Sequence, residues 1–309
     1  MFASYYNFSG LPFQLSPDHR FYFGSRSHKK ALAYLTYGLS QGEGFIIVTG
    51  EVGAGKTTLV QHLLSQVDRD EIVVASVVTS RLQADDTIRM VAAEFGINHQ
   101  GMDKATLLKG LESFFVANRR QGKRNLLIID EVQNMPSPSL EELRMLSNFQ
   151  LGEKSLLQIF LIGQPEFRKV VGSDSFEQLR QRVIAATHLK PMDAEETRAY
   201  VEHRMRLVGW RNDPSIEPDA FKRIHRYTGG VPRKVNTFVS RVLLFGYLEE
   251  LHHISAESVD EVAEGLMLEG TQLPVAAEEL PEIAQPSAKV TPLKPVPKDE
   301  VGAQANPAT

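Results

Sequence analysis

Residues 50–58 read Gly50-Glu51-Val52-Gly53-Ala54-Gly55-Lys56-Thr57-Thr58, directly after the apolar run Phe45–Thr49. Glycines at this spacing let successive backbone N–H groups turn inward around an anion, and a helix opening at Thr57 adds its positive end. A lysine after the last glycine reaches the outer phosphates of a nucleoside triphosphate, and the next hydroxyl is a hard oxygen ligand for Mg²⁺. The stretch Gly50–Thr58 is therefore expected to cradle phosphates, with Lys56 as the charged contact and Thr57 as a metal ligand. A Gly-rich strand-to-helix turn that binds nothing is the competing reading. The apolar run before the loop and the helical pattern after it favour the cradle.

Leu126-Leu127-Ile128-Ile129-Asp130-Glu131 is an apolar run that ends in two carboxylates. Beside a phosphate loop, Asp130 would join the Mg²⁺ shell, and Glu131 would orient and deprotonate an attacking water. Alone, the same pattern describes a core strand ending in solvated acids. The run Leu156–Ile162 ends in Gly163-Gln164-Pro165, which places Gln164 at a strand tip to meet the γ-phosphate or the water, or to bond its own turn. Arg180 and Arg182 lie in Phe176–Val183, before the last apolar run. Either can reach the nucleotide of a neighbouring copy and offset γ-phosphate charge, or both can be solvated; Arg182 is the first choice. Thr228-Gly229-Gly230-Val231-Pro232-Arg233-Lys234 is a turn with proline well placed to open a helix. Cations are disfavoured at helix N-termini, so Arg233 there is expected to face an anion, the bound nucleotide.

Something must hold these groups together. Phe45–Thr49, Ile72–Val78, Leu126–Ile129, Leu156–Ile162 and Ala185–Leu189 are β-branched or Leu-rich runs without strict alternation. Segments of helical period separate them: Ser27–Leu39, Thr57–Gln66, Ala84–Phe95, Lys104–Arg120 and Ser139–Phe149. Buried parallel strands joined by crossover helices have this pattern, so the expectation is an α/β fold, a parallel sheet with helices on both faces. Asp193 with Glu196 three residues later has the form of a capping box. Helices are expected after it, and at Pro218–Tyr227, Arg233–Leu248 and Ala256–Leu266, with no strand among them. The expected divisions are an α/β domain over 1–191, an all-helical domain over 192–268, and a disordered tail over 269–309. That last part carries seven of the chain's 16 prolines.

The chain has 309 residues, 42% of them hydrophobic and 23% charged, an ordinary globular composition. It contains no cysteine, which excludes disulfides, thiolate catalysis and cysteine-based zinc sites and suits a reducing compartment. The first ten residues lack a basic segment followed by an apolar one, and no apolar run approaches the ~20 residues needed to span a bilayer. A cytoplasmic location is expected, peripheral to the inner membrane where a partner sits there. A net charge of −4 argues against generic nucleic-acid binding. Between Arg198 and Arg241, however, ten Lys/Arg stand against four Asp/Glu. This is either a solvated helical face or a grip on DNA phosphates, the former preferred.

In this order, the elements resemble an AAA+ ATPase with a P-loop, a five-stranded parallel sheet and a helical lid. The nearest resemblance is to the general secretion pathway protein A type, which is also similar to ATPases of transposition systems. Pro12-Phe13-Gln14-Leu15, Pro17-Asp18, Phe21–Gly24, Leu39–Phe45 and Leu161–Glu166 narrow it to the ATPase associated with exosortase and PEP-CTERM loci, which lie among exopolysaccharide genes. The resemblance covers about Met1 to Leu268. It implies ATP and Mg²⁺ as ligands, Asp130 and Glu131 as the Walker B pair, Gln164 as sensor 1, Arg233 as sensor 2 and Arg182 as the arginine finger. It makes Pro17 to His28 the lining of the adenine pocket, although Phe13, Phe21, Tyr22 and Phe23 are read mostly as core. It implies a homo-oligomeric ATP hydrolase that energises an envelope secretion or exopolysaccharide assembly. The alternatives are a DNA-dependent transposition-type ATPase and a slow nucleotide-controlled assembly switch. Relatives that continue into a membrane span and a cell-wall module are departed from by the Pro-rich ending.

Overall fold

A computed structural model describes residues 2–14, 18–68, 70–78 and 84–269. The expected tail beyond Glu269, with Leu15 and Pro17, lies outside the described residues.

The five apolar runs form one parallel sheet: β1 Phe45–Gly50, β2 Ile72–Val78, β3 Arg124–Asp130, β4 Leu157–Gly163 and β5 Val183–Leu189, in the order β2-β3-β4-β1-β5. β1 and β4 are buried at every position, as expected of central strands covered on both faces. The strand period of two divides their side chains between two cores. Ile46 and Val48 of β1 pack with Phe160 and Ile162 under helices α1 Arg26–Gln41 and α2 Lys56–Ser65. Phe45 and Ile47 pack with Ile159 and Leu161 on the other face. Helices α3 Ala84–Glu94, α4 Lys104–Arg120 and α5 Ser137–Leu146 cover that face. Full burial of one such side chain stabilises the fold by about 1.5–3 kcal/mol.

Parallel pairing aligns the C-terminal strand tips. Thr49 lies opposite Gly163 and Ile129 opposite Leu161, so the residues after β1, β3 and β4 emerge at one edge. A Gln150–Leu151/Lys154–Ser155 hairpin precedes β4.

Beyond Pro191 the chain is helical: α6 Ala194–Leu207, α7 Pro218–Thr228, α8 Pro232–Leu248 and α9 Ala256–Leu268. The capping box is present, Asp193 accepting from the Glu196 N–H and Glu196 bonding back to the cap. The Glu196 carboxylate also accepts from the Arg26 N–H at 2.6 Å, which ties this helix to the start of α1. The expectation of no strand here is corrected. Ser215–Ile216 and His253–Ile254 form a parallel ladder closed by Ser215 N–H to His252 O, 3.0 Å, and Glu217 N–H to Ile254 O, 3.1 Å. Two-residue strands carry no periodic signal. Tyr6, Phe8 and Phe13, inside the expected 1–191 division, share the core of these helices with Tyr200, Phe221 and Phe238. Among the described residues, no helix is long and apolar enough to cross a membrane.

Candidate nucleotide site at the strand tips

The loop after β1 turns through two residues of positive φ, Gly53 at 80° and Gly55 at 88°. A side chain on Gly53 would put its Cβ 2.4 Å from the Arg233 Cβ, and one on Gly55 would stand 3.0 Å from the His28 Nε2. Both glycines are thus fixed by conformation and by close approach. Lys56 opens α2 and is buried. Its Nζ donates to the carbonyls of Gly50 at 2.9 Å and Glu51 at 3.0 Å. Burial lowers its pKa, opposed by the charges of Glu131, Asp130 and Glu166.

Thr57, one position on, donates its hydroxyl to Asp130 Oδ2 at 2.8 Å, across 73 residues of sequence. A hydroxyl and a carboxylate held edge to edge are hard oxygen donors of the type Mg²⁺ takes, and the pair fits that ion. Glu131 then adopts a left-handed backbone, φ 56° and ψ 38°. That conformation costs a non-glycine residue on the order of 1–3 kcal/mol and is typical of functional sites. The Gln164 side chain donates to Glu131 Oε2 at 3.4 Å.

A cleft of about 220 Å³ is lined by Val52, Gly53, Gly55, Lys56, Thr57, Thr58 and Glu131 on the sheet side, with Asp18 and His28 beside them. Asp130 and Gln164 do not line it and join it only through their bonds to Thr57 and Glu131. Across it stand Met192, Tyr200, Arg204, Pro232, Arg233 and Asn236. The main-chain N–H of Arg233 donates to Gly53 O at 3.1 Å, so the start of α8 sits directly on the loop. Gly50, Glu51 and Ala54 do not line the cleft. Their carbonyls hold Lys56 and His28 from behind.

Phe13 is core, as expected, while Phe21, Tyr22 and Phe23 are half-buried, packing against the core clusters on one side and lining the cleft on the other. Aromatic hydrophobicity alone does not separate a core from a flat apolar slot. Tyr22 stacks on His62 with ring centroids 3.9 Å apart.

Arg182 is not brought to this cleft. Its carbonyl accepts from the Phe45 N–H at the opposite end of β1, five residues or roughly 16 Å of strand from the loop. Its side chain is half-buried and donates to Ser147, through the carbonyl at 3.4 Å and the hydroxyl at 3.3 Å. Arg180 is exposed and donates to Gly172 O at 3.2 Å.

Four residues support the site, of which only His28 lies in the stretch the resemblance implied, Pro17 to His28, and it lines the cleft. His28 is buried between Ser25 and the loop, its Nδ1 2.7 Å from the Ser25 hydroxyl and its Nε2 3.1 Å from Ala54 O. A carbonyl only accepts, so the proton sits on Nε2 and the ring is a neutral prop; burial lowers its pKa. Arg204 is buried, donates to Pro12 O at 2.7 Å and lies 4.6 Å over the Phe21 ring. With its carbonyl turned to Arg204 at 2.9 Å, Asn236 donates to the Tyr200 hydroxyl and to Pro232 O. Gln133 is the fourth. Only its polar type, just after the acidic pair, marked it in the sequence.

Residues 39–171 match the family described as AAA domain. The chain is 35% identical over 275 residues to general secretion pathway protein A of Aeromonas hydrophila, covering 88% of this chain and 50% of that protein. It is 28% identical over 160 residues to the Mu-like prophage FluMu DNA transposition protein B of Haemophilus influenzae, covering 50% and 52%. The chain thus spans about half the length of these curated relatives. The crystal structure of Cdc6p from Pyrobaculum aerophilum superposes with a TM-score of 0.63 at 16% identity, over 81% of this chain and 70% of that one.

Proposed function

We propose that this chain, which has the P-loop AAA+ fold and is related to general secretion pathway protein A, binds ATP with Mg²⁺ and hydrolyses it. One observation carries the reading: Thr57 on the loop and Asp130 on β3 meet at 2.8 Å, with Lys56 and Glu131 in the same cleft. The loop amides and Lys56 bind the phosphates, and Arg233 approaches them from the helical side. Thr57 and Asp130 would hold Mg²⁺, which when bound offsets charge on the β- and γ-phosphate oxygens. Glu131 orients a water and takes its proton as the water oxygen bonds to the γ-phosphorus. The bond from that phosphorus to the β–γ bridging oxygen breaks, and ADP leaves. Gln164 beside Glu131 steadies the water or the γ-phosphate.

Arg182 lies a strand's length from its own loop, which favours action on the nucleotide of a neighbouring copy, and so a homo-oligomer. Likeness to general secretion pathway protein A supports a partner in envelope secretion machinery, reached from the cytoplasmic side of the inner membrane. The narrower resemblance to exosortase-locus ATPases adds exopolysaccharide assembly as the process energised.

A DNA-dependent reading draws on the transposition relative. Against it, the basic excess of the helices is largely engaged. Arg198 and Arg206 pair with Glu202, Lys222 with Asp219 and Arg223 with Asp260, while Arg204 is buried and Arg233 faces the loop. The test is ATP turnover by mixtures of Glu131→Gln and Arg182→Ala, with and without duplex DNA. Turnover restored in the mixture without DNA supports an oligomeric motor. Turnover that requires DNA moves the assignment to the transposition-type reading. Slow turnover with ATP-dependent assembly moves it to a nucleotide-controlled switch.

A further inference from the structure

Glu131 leaves β3 in the left-handed region, and the 3-10 turn Val132–Asn134 that follows carries Gln133 back toward β4. The Gln133 Nε2 donates to Glu131 Oε2 at 2.5 Å. Its Oε1 accepts from the main-chain N–H of Gln164 at 2.9 Å, 31 residues on. One carboxamide therefore spans two strand tips. The room for it depends on Gly163, where a Cβ would stand 2.9 Å from Gln133 Oε1 and 2.7 Å from a Val132 methyl. Gln164 Nε2 approaches the same carboxylate oxygen at 3.4 Å.

We infer that Gln133 is a positioning residue for the hydrolytic step, locking the Glu131 carboxylate to the tip of β4 so that base and Gln164 keep one geometry. The inference rests on the ATP-hydrolysing reading above. A glutamine that merely capped its own turn would bond locally. This one donates to the base and accepts from a different strand, a pairing that needs a donor and an acceptor on one uncharged group. Two amide donors on one carboxylate oxygen fix the plane of the carboxylate, and displacement of a catalytic group by about 1 Å costs on the order of a hundredfold in rate.

The test uses the full chain with Gln133→Met, which keeps length and loses both bonds, and Gln133→Glu, which keeps the acceptor and loses the donor. Steady-state ATP hydrolysis is measured beside equilibrium ADP binding, thermal unfolding and the amide NMR resonance of Gln164. Both variants are expected to lose kcat by on the order of tenfold to a hundredfold, with KM and ADP affinity within about twofold of wild type. The Gln164 resonance should move in Gln133→Met and stay in Gln133→Glu. Turnover kept by either variant overturns the inference, and so does loss of turnover together with ADP binding and thermal stability, the signature of a structural role. An inactive wild type brings down the ATP-hydrolysing reading itself, whereas an active wild type with unaffected variants brings down the role of Gln133 alone.

Discussion

His28→Ala tests whether the phosphate loop is held from behind by α1. The substitution leaves the Ala54 carbonyl, on a residue 2% exposed, without its donor. An orphaned buried acceptor costs about 1–3 kcal/mol, and the lost imidazole packing adds roughly 1 kcal/mol. The sum, about 2–4 kcal/mol, lowers Tm by roughly 5–15 °C for a unit of this size. The effect is also pH-dependent with a fixed sign. Burial lowers the His28 pKa, with the Ala54 bond and the Glu196 charge opposing it. The unfolded chain therefore takes up the proton from about pH 6.5 downward, before the folded state does. The contribution of the neutral ring is complete above that value and declines as pH falls below it. Denaturant unfolding of wild type and variant at about pH 7.5 and about pH 5 should show a gap that narrows on acidification. A gap below about 1 kcal/mol at neutral pH, or one that widens in acid, refutes the prop.

Thr57→Ala removes the hydroxyl that meets Asp130, and is expected to weaken Mg²⁺-dependent ATP binding while Mg²⁺-free ADP binding changes little; calorimetry with and without Mg²⁺ decides. Gly230→Ala places a Cβ 1.9 Å from Met192 O at φ 68° and should lower stability by several kcal/mol, read by denaturant unfolding. Arg204→Met removes the buried donor to Pro12 O and the cation over Phe21. It should lower Tm and expose residues 8–14 to faster amide exchange, and protection equal to wild type would contradict the role assigned to Arg204.

The loop and the acidic strand tip were legible because their chemistry is written in consecutive residues: Gly50–Thr58 and Asp130-Glu131 each lie on one turn of chain. Gln164 was legible because an apolar run that ends in Gly-Gln states where its strand stops. The order β2-β3-β4-β1-β5 was not, since crossovers set strand neighbours and no local pattern encodes them. His28 reaches Ala54 across 26 residues and Arg204 reaches Pro12 across 192, so their roles appear only after folding. Phe21–Phe23 serve both core and cleft, and aromatic type alone does not separate the two.

The cleft is proposed to hydrolyse ATP through Glu131. The most direct measurement is Mg²⁺-dependent phosphate release by the assembled full chain and by Glu131→Gln, with ATP binding measured on both. Wild type is expected to release phosphate, Glu131→Gln to lose release by on the order of a hundredfold or more, and both to retain ATP binding. Equal release from the two proteins would contradict that role of Glu131.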